Sequence, residues 1–191
     1  KNLTISILLK PTFLSIGQQF ELNKAVSLAL LDVLSPLLGS HVSIKWPNDI
    51  LVDDKKIAGI LIENSVQGSR WKQAVVGIGL NVNQTQFSPN LTRATSLKNV
   101  LQTEYILNSL LAELCVALER RYLQLRAQKF ADLHRDYLQH LFKFGEQCKF
   151  RVDDQVIEAE ISGVSPAGLL ELKTSKGTQT FGFKEIAFCF D

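Results

Sequence analysis

Near Gly145 the hydrophobic pattern of this chain changes character, and that change limits the folds open to it more than any other feature. Downstream, apolar residues come in short runs at 148–152, 156–164, 168–173, 178–183 and 186–190. Turn residues separate them, at Asp153-Asp154, Pro166-Ala167-Gly168 and Lys176-Gly177. Five short strands packed into residues 145–191 predict a small β-barrel. Upstream the chain mixes strands with long helices. The boundary between two units is therefore expected near Phe144, giving domains 1–144 and 145–191.

The upstream part opens directly in a strand pattern. Leu3, Ile5, Ile7 and Leu9 alternate with Asn2, Thr4 and Ser6, a period of two closed by Pro11. Residues 20–38 read as a helix with Phe20, Leu22, Val26, Ala29 and Leu30 on its apolar positions. Pro36 is expected to disturb its last turn, and Gly39 to stop it. Short strands follow at 42–46, 50–52 and 57–63. The last two form a hairpin across the polar turn Asp53-Asp54-Lys55. Gly68-Ser69 marks another turn. Residues 74–82 are apolar at nearly every position except two glycines, which predicts a central strand buried on both faces. Residues 83–103 form a polar loop with room for one helical turn. Residues 104–125 form a helix, with Leu107, Leu110, Leu111, Leu114, Leu118, Tyr122 and Leu125 in one stripe. Residues 130–142 continue helical. The resulting fold class is α+β, a mixed β-sheet packed against helices and followed by the small barrel.

Composition excludes several functions. An apolar share of 46% supports a real core, and a net charge of +2 gives no electrostatic case for nucleic acid or a membrane surface. No uninterrupted apolar run reaches the roughly 18 residues of a bilayer span, and the start lacks a signal-peptide pattern. Three widely spaced cysteines, Cys115, Cys148 and Cys189, form neither a disulfide framework nor a zinc spacing, and fit free thiols in a reducing cytoplasm. His41, His134 and His140 have no partner spacing. The sequence contains no methionine, so Lys1 is not a translation start, and sequence upstream of it is expected.

Three segments concentrate chemistry. Lys45-Trp46-Pro47-Asn48-Asp49 puts a lysine, an amide and a carboxylate at a strand end, with proline fixing the bend. It suits a phosphate, a purine edge or a magnesium ion, and equally an ordinary turn. Lys56-Ile57-Ala58-Gly59-Ile60-Leu61-Ile62-Glu63 opens a strand with a cation; Gly59 leaves space for a ligand, or marks a bulge. Gly77-Ile78-Gly79-Leu80-Asn81-Val82-Asn83 resembles a dinucleotide fingerprint but lacks its third glycine and its helix, so that reading is rejected. Its glycines still suit the approach of something flat, with the Asn81 amide near a purine edge.

Taken together and in this order, K-W-P-N-D, K-x-A-G-I-L-I-E and V-G-I-G-L-N-V-N resemble the biotin–protein ligase family. The resemblance covers nearly the whole chain and implies a class II synthetase-like catalytic domain, followed by an SH3-like barrel. It implies that ATP activates biotin to biotinyl-5'-AMP, which a lysine of a biotin carboxyl carrier protein domain then attacks. By the same resemblance Lys56 contacts the biotin carboxylate and the activated phosphate. Lys45, Asn48, Gly59, Leu61, Gly77, Asn81 and Asn2 line the biotin and adenylate site. Asp49 either sits on the Mg2+ side, or orients the carrier lysine or accepts its proton. Lys184, in the last barrel turn, approaches ATP. The family's Gly/Arg-rich loop lies upstream of the first strand, so residues 1–191 alone are expected to be inactive or impaired. A strand at an open sheet edge offers a route to a homodimer. Two other functions stay open on the residues: a lipoate–protein ligase, and a non-catalytic module that binds a carrier.

Overall fold

The computed structural model describes residues 1–68 and 70–190; Ser69 of the expected Gly68-Ser69 turn lies outside them. The first layer is a five-stranded sheet of β1 (Leu3–Leu9), β2 (Val42–Lys45), β3 (Asp49–Val52), β4 (Lys55–Gln67) and β5 (Arg70–Leu80). Its order is β1-β5-β4-β3-β2. The sheet expected to be mixed runs antiparallel through its four ladders. Parallel pairing here is confined to single bridges, Ile44 to Leu141 and Lys56 to Ala94.

Helices cover one face of this sheet. They are α1 (Gln19–Leu38), α2 (Leu97–Leu101), α3 (Leu107–Arg126) and α4 (Phe130–Gln139). Helix α1 is buried nearly all round, with Leu28, Ala29, Leu30 and Leu34 fully enclosed. Pro36 removes one N–H donor from the last turn but does not end the helix, which runs on to Leu38. Gly39 then stops it at φ +65°, a left-handed angle that glycine adopts without strain. The segment Ile16–His41 is long and apolar enough to cross a bilayer by length and composition, but most of it is buried inside the fold as a core helix. Helix α4 ends at Gln139, three residues before the expected limit, because residues 140–142 turn to bond the outer edge of β2. Ile44 N–H donates to the His140 carbonyl and Phe142 N–H to the Ile44 carbonyl.

The second layer is a sheet of β6 (Gln147–Val152), β7 (Gln155–Val164), β8 (Leu170–Thr174), β9 (Gly177–Phe181) and β10 (Ala187–Phe188), in the order β10-β6-β7-β8-β9. Among the described residues its edge strands β9 and β10 share no ladder. The five strands expected of the small barrel are all present in this antiparallel sheet, with a register shift in β7 between Ile161 and Gly163.

Strand β5 corrects one expectation. It is not buried on both faces. Trp71, Ala74, Val76, Ile78 and Leu80 are buried beneath the helices, while Gly79 is exposed and Gly77 half-buried. The apolar look of the sequence came from one buried face plus glycines on the other.

The layers meet at Gly168. Trp46 Nε1 donates to its carbonyl at 2.9 Å, and Phe20, which meets Tyr137 of α4 edge-on at 5.8 Å, packs against the glycine. Gly168, at φ +88°, lies so close to Phe20 that a Cβ there would overlap the ring. Among the helices, Arg121 of α3 grips Asp32 of α1 with two hydrogen bonds of 2.8 Å and Asp136 of α4 with one of 2.9 Å. Burial raises the Asp32 carboxyl, but the hydrogen bonds and charges of Arg121 and Arg120 outweigh it and hold the group below the ordinary 3.8. A carboxylate depressed on folding stabilises fully above its unfolded pKa and loses that contribution as pH falls through the folded one. Asp32→Asn is therefore expected to cost about 2 kcal/mol at pH 7 in urea unfolding, the value of a hydrogen bond to a charged group. The gap to the parent should shrink below about pH 4.

Candidate functional site

The site forms where β2, β3 and β4 meet. Across the Trp46–Pro47 turn, Lys45 pairs with Asp49 in the ladder, and Asp49 pairs in turn with Gly59. Between β3 and β4 the register slips: Ile50 faces Ala58 but Leu51 faces Lys56, leaving Ile57 as an extra residue. An extra residue reverses the in-out alternation of everything before it. Ile57 and Ala58 are both buried, and Lys56 is turned to the face that Gly59 occupies.

Lys56 then folds back over Gly59. Its Nζ meets Asp49 Oδ1 at 2.5 Å, and a Cβ on Gly59 would stand 3.1 Å from Lys56 Cε and Nζ. The other carboxylate oxygen, Oδ2, is 3.4 Å from Lys45 Nζ. Asp49 is thus bracketed by two ammonium groups, one of them half-exposed. A divalent cation does not fit this carboxylate, since both oxygens already face cations. Among the described residues no group of three His, Cys, Asp or Glu side chains could hold a metal. The magnesium expected beside Asp49 thus finds no free oxygen on this carboxylate.

Beside the ion pair lies a floor almost without side chains. Thr4, Gly79 and Gly59 stand in one cross-strand row, and Ser6, Gly77 and Leu61 in the next. Leu61 is 61% exposed, so the row ends in an uncovered apolar side chain. At the end of the floor a cleft of about 430 Å3 is lined by Asn2, Lys56, Gly59, Gly79, Asn81 and Phe87, among others. A flat, open floor beside a half-exposed cation suits a flat or extended anionic ligand.

Each of the three asparagines also makes hydrogen bonds within the fold. Asn2 Nδ2 donates to Gln84 Oε1 at 2.6 Å, and its Oδ1 accepts from Val82 N–H at 3.1 Å. Asn81 Nδ2 donates to the Thr95 carbonyl at 3.0 Å. Asn48 Nδ2 donates to the Ile60 carbonyl at 2.8 Å, and its own carbonyl accepts from Ile60 N–H. Asn2 and Asn81 line the cleft, while Asn48 braces the turn that carries Asp49. Lys184 is not brought to the cleft. It sits in an exposed turn at φ +73°, its ammonium 5.8 Å from the Phe183 ring.

Several residues at the site gave no signal in the sequence. The segment 91–96 lies along Lys56, whose N–H donates to the Arg93 carbonyl at 2.6 Å and whose carbonyl accepts from Thr95 N–H at 2.9 Å. Phe188, on β10, and Phe190, two residues past it, stand against Lys45 and Arg93. His41, read as partnerless, contacts Asp53 at 2.8 Å on the surface.

Residues 1–81 match the model of the biotin/lipoate A/B protein ligase family, and residues 143–188 that of the biotin protein ligase C terminal domain. The bifunctional ligase/repressor BirA of Bacillus subtilis (strain 168) is 26% identical over 176 residues, covering 91% of this chain and 54% of that protein. The biotin--[acetyl-CoA-carboxylase] ligase of Paracoccus denitrificans is 29% identical over 174 residues, covering 88% and 72%. The chain thus spans about half the length of the first of these relatives. Among solved structures, the biotin protein ligase from Aquifex aeolicus in complex with biotin and ATP superimposes with a TM-score of 0.82 at 22% identity. That match covers all of this chain and 79% of the other, and it shows a shared fold.

Gly59→Ala and Gly79→Ala are both expected to keep stability within about 1 kcal/mol, because strand glycines outside the core gain about as much from a stiffer unfolded chain as they lose. They should differ at Lys56. Nothing lies within 4 Å of a Cβ on Gly79, whereas one on Gly59 presses on the lysine. Urea unfolding and lysine acylation read by mass spectrometry check this: Lys56 should label faster only in Gly59→Ala.

Proposed function

The chain belongs to the biotin protein ligase family, and from that premise we propose that it activates biotin with ATP and passes it to a lysine of a biotin carboxyl carrier protein domain. The observation that carries this reading is the Lys56 ammonium, half-exposed beside Asp49 over the Gly59–Gly79 floor. In the first step a biotin carboxylate oxygen attacks the α-phosphorus of ATP and the bond to pyrophosphate breaks, leaving biotinyl-5'-AMP. Both reactants are anions. Lys56 offsets their repulsion and stands where negative charge gathers at phosphorus. The floor admits the acyl chain and the ribose without steric cost, and Leu61 supplies apolar contact at its far end.

In the second step the carrier amine attacks the acyl carbon, the acyl–oxygen bond breaks, and AMP leaves. Of the two roles open to Asp49, the geometry favours the second, orienting the incoming ammonium and taking its proton. Its carboxylate already holds two ammonium groups, so a third in place of Lys45 keeps the same charge balance. Asn2 and Asn81 act by holding the segment 82–95 that walls the cleft. The match of residues 143–188 to the C-terminal domain of biotin protein ligases favours biotin over lipoate. We place the reaction in the cytoplasm, where ATP is plentiful and the free cysteines stay reduced.

The test is biotin-dependent exchange of labelled pyrophosphate into ATP by the full natural chain. Lys56→Ala is expected to slow it about tenfold to a hundredfold, the value of a charge-assisted hydrogen bond. Asp49→Asn should leave exchange largely intact and slow transfer to the carrier instead. Exchange that follows lipoate rather than biotin, or none at all in the parent, would overturn the proposal.

A further inference from the structure

We propose that Phe188 and Phe190 are positioning residues, which hold the Lys45–Asp49–Lys56 set together from the second sheet. The inference rests on the reading of that set given above. Lys45 Nζ stands 5.5 Å from the centroid of the Phe188 ring while it faces Asp49 Oδ2. The Arg93 guanidinium carbon is 3.8 Å from the centroid of the Phe190 ring. Each ring thus meets a cation that belongs to the first layer.

The rings themselves are fixed. Phe188 packs on Phe150 at 4.9 Å and stacks with Phe190 at 5.9 Å and 23°. Strand β10 is paired to β6, and Cys189 N–H donates to the Lys149 carbonyl at 2.9 Å. A fixed aromatic face attracts a nearby cation electrostatically, whereas an aliphatic side chain of similar size only fills space. Phe188 therefore keeps the Lys45 ammonium on Asp49 instead of letting it swing into water. Phe190 acts through a second route. Arg93 stacked on it donates from Nη2 to the Asp54 carbonyl in the β3–β4 turn at 2.9 Å, and its own carbonyl accepts from Lys56 N–H. The Phe190 ring thus clamps the segment 91–96 against the backbone of Lys56. Neither ring lines the cleft, so both work on the reaction through their neighbours.

The experiment uses Phe188→Leu, Phe188→Tyr, Phe190→Leu and Phe190→Tyr in the full natural chain, without ATP or biotin. Trace acylation with acetic anhydride reads Lys45 relative to Lys173, a β8 residue outside the set. Hydrogen exchange reads the Lys56 and Thr95 amides. Phe188→Leu should raise Lys45 labelling about threefold, the strength of an exposed cation–π contact, and Phe188→Tyr should leave it unchanged. Phe190→Leu should speed exchange at both amides severalfold, and Phe190→Tyr should not. Should Phe188→Leu fail to fold, Phe188→Met gives the same reading. Leucine variants that behave as the parent, or tyrosine variants that behave as the leucine ones, would overturn the inference. Pyrophosphate exchange by the same proteins is scored separately: its absence in the parent sinks the ligase reading, while labelling still decides the role of the rings.

Discussion

One extra residue in β4 governs the geometry of this molecule. Ile57 has no partner on β3, so Lys56 and Gly59 come to lie on the same side of the sheet although an odd number of positions separates them. In a regular strand they would point to opposite faces. The lysine would then be driven toward the buried face that Ile57 now occupies, and Asp49 would lose its partner. The bulge is held from outside, since the Ile57 carbonyl, free of the β3 ladder, accepts from Asn81 N–H at 2.9 Å. Glycine at 59 is the second half of the device, because a Cβ there would press on the folded-back lysine.

The charged groups divide into two kinds. Asp32, Arg121 and Asp136 are largely sheltered, bind through short, directed hydrogen bonds, and tie three helices together. They contribute to stability, and the depressed Asp32 carboxyl is the sign of it. Lys56 and Asp49 are different. A half-exposed pair of this kind adds only about 0–1 kcal/mol to stability. A bulge and a bare glycine floor arranged around so weak a pair make sense as preparation for an anion that joins later.

The polar residues of the motifs split along similar lines. Asparagines at 2, 48 and 81 look from the sequence like ligand contacts, because an amide matches a base edge or a phosphate equally well. In the folded chain their amides are taken up by Gln84, Ile60 and Thr95. They form staples between segments that would otherwise leave carbonyls unpaired. Removing such a staple would be felt at the cleft through the walls it holds.

The sequence by itself determined the elements and most of their limits. Periods of two and of 3.6, with turn residues between them, located the strands and helices, the stop at Gly39 and the meander after Gly145. The same residues in the same order were enough to point to the ligase family and to Lys56 and Asp49. Tertiary structure alone decided the rest. Strand β5 is open on one face because what lies over a strand is not written in the strand. Lys56 meets Asp49 because a register slip, set by cross-strand pairing, reverses one stretch of alternation. Arg93, Phe188 and Phe190 join the site through partners up to 143 residues away, Lys45 and Phe188. No local pattern encodes such contacts, because they arise only when two sheets, each specified by its own periodicity, are packed together.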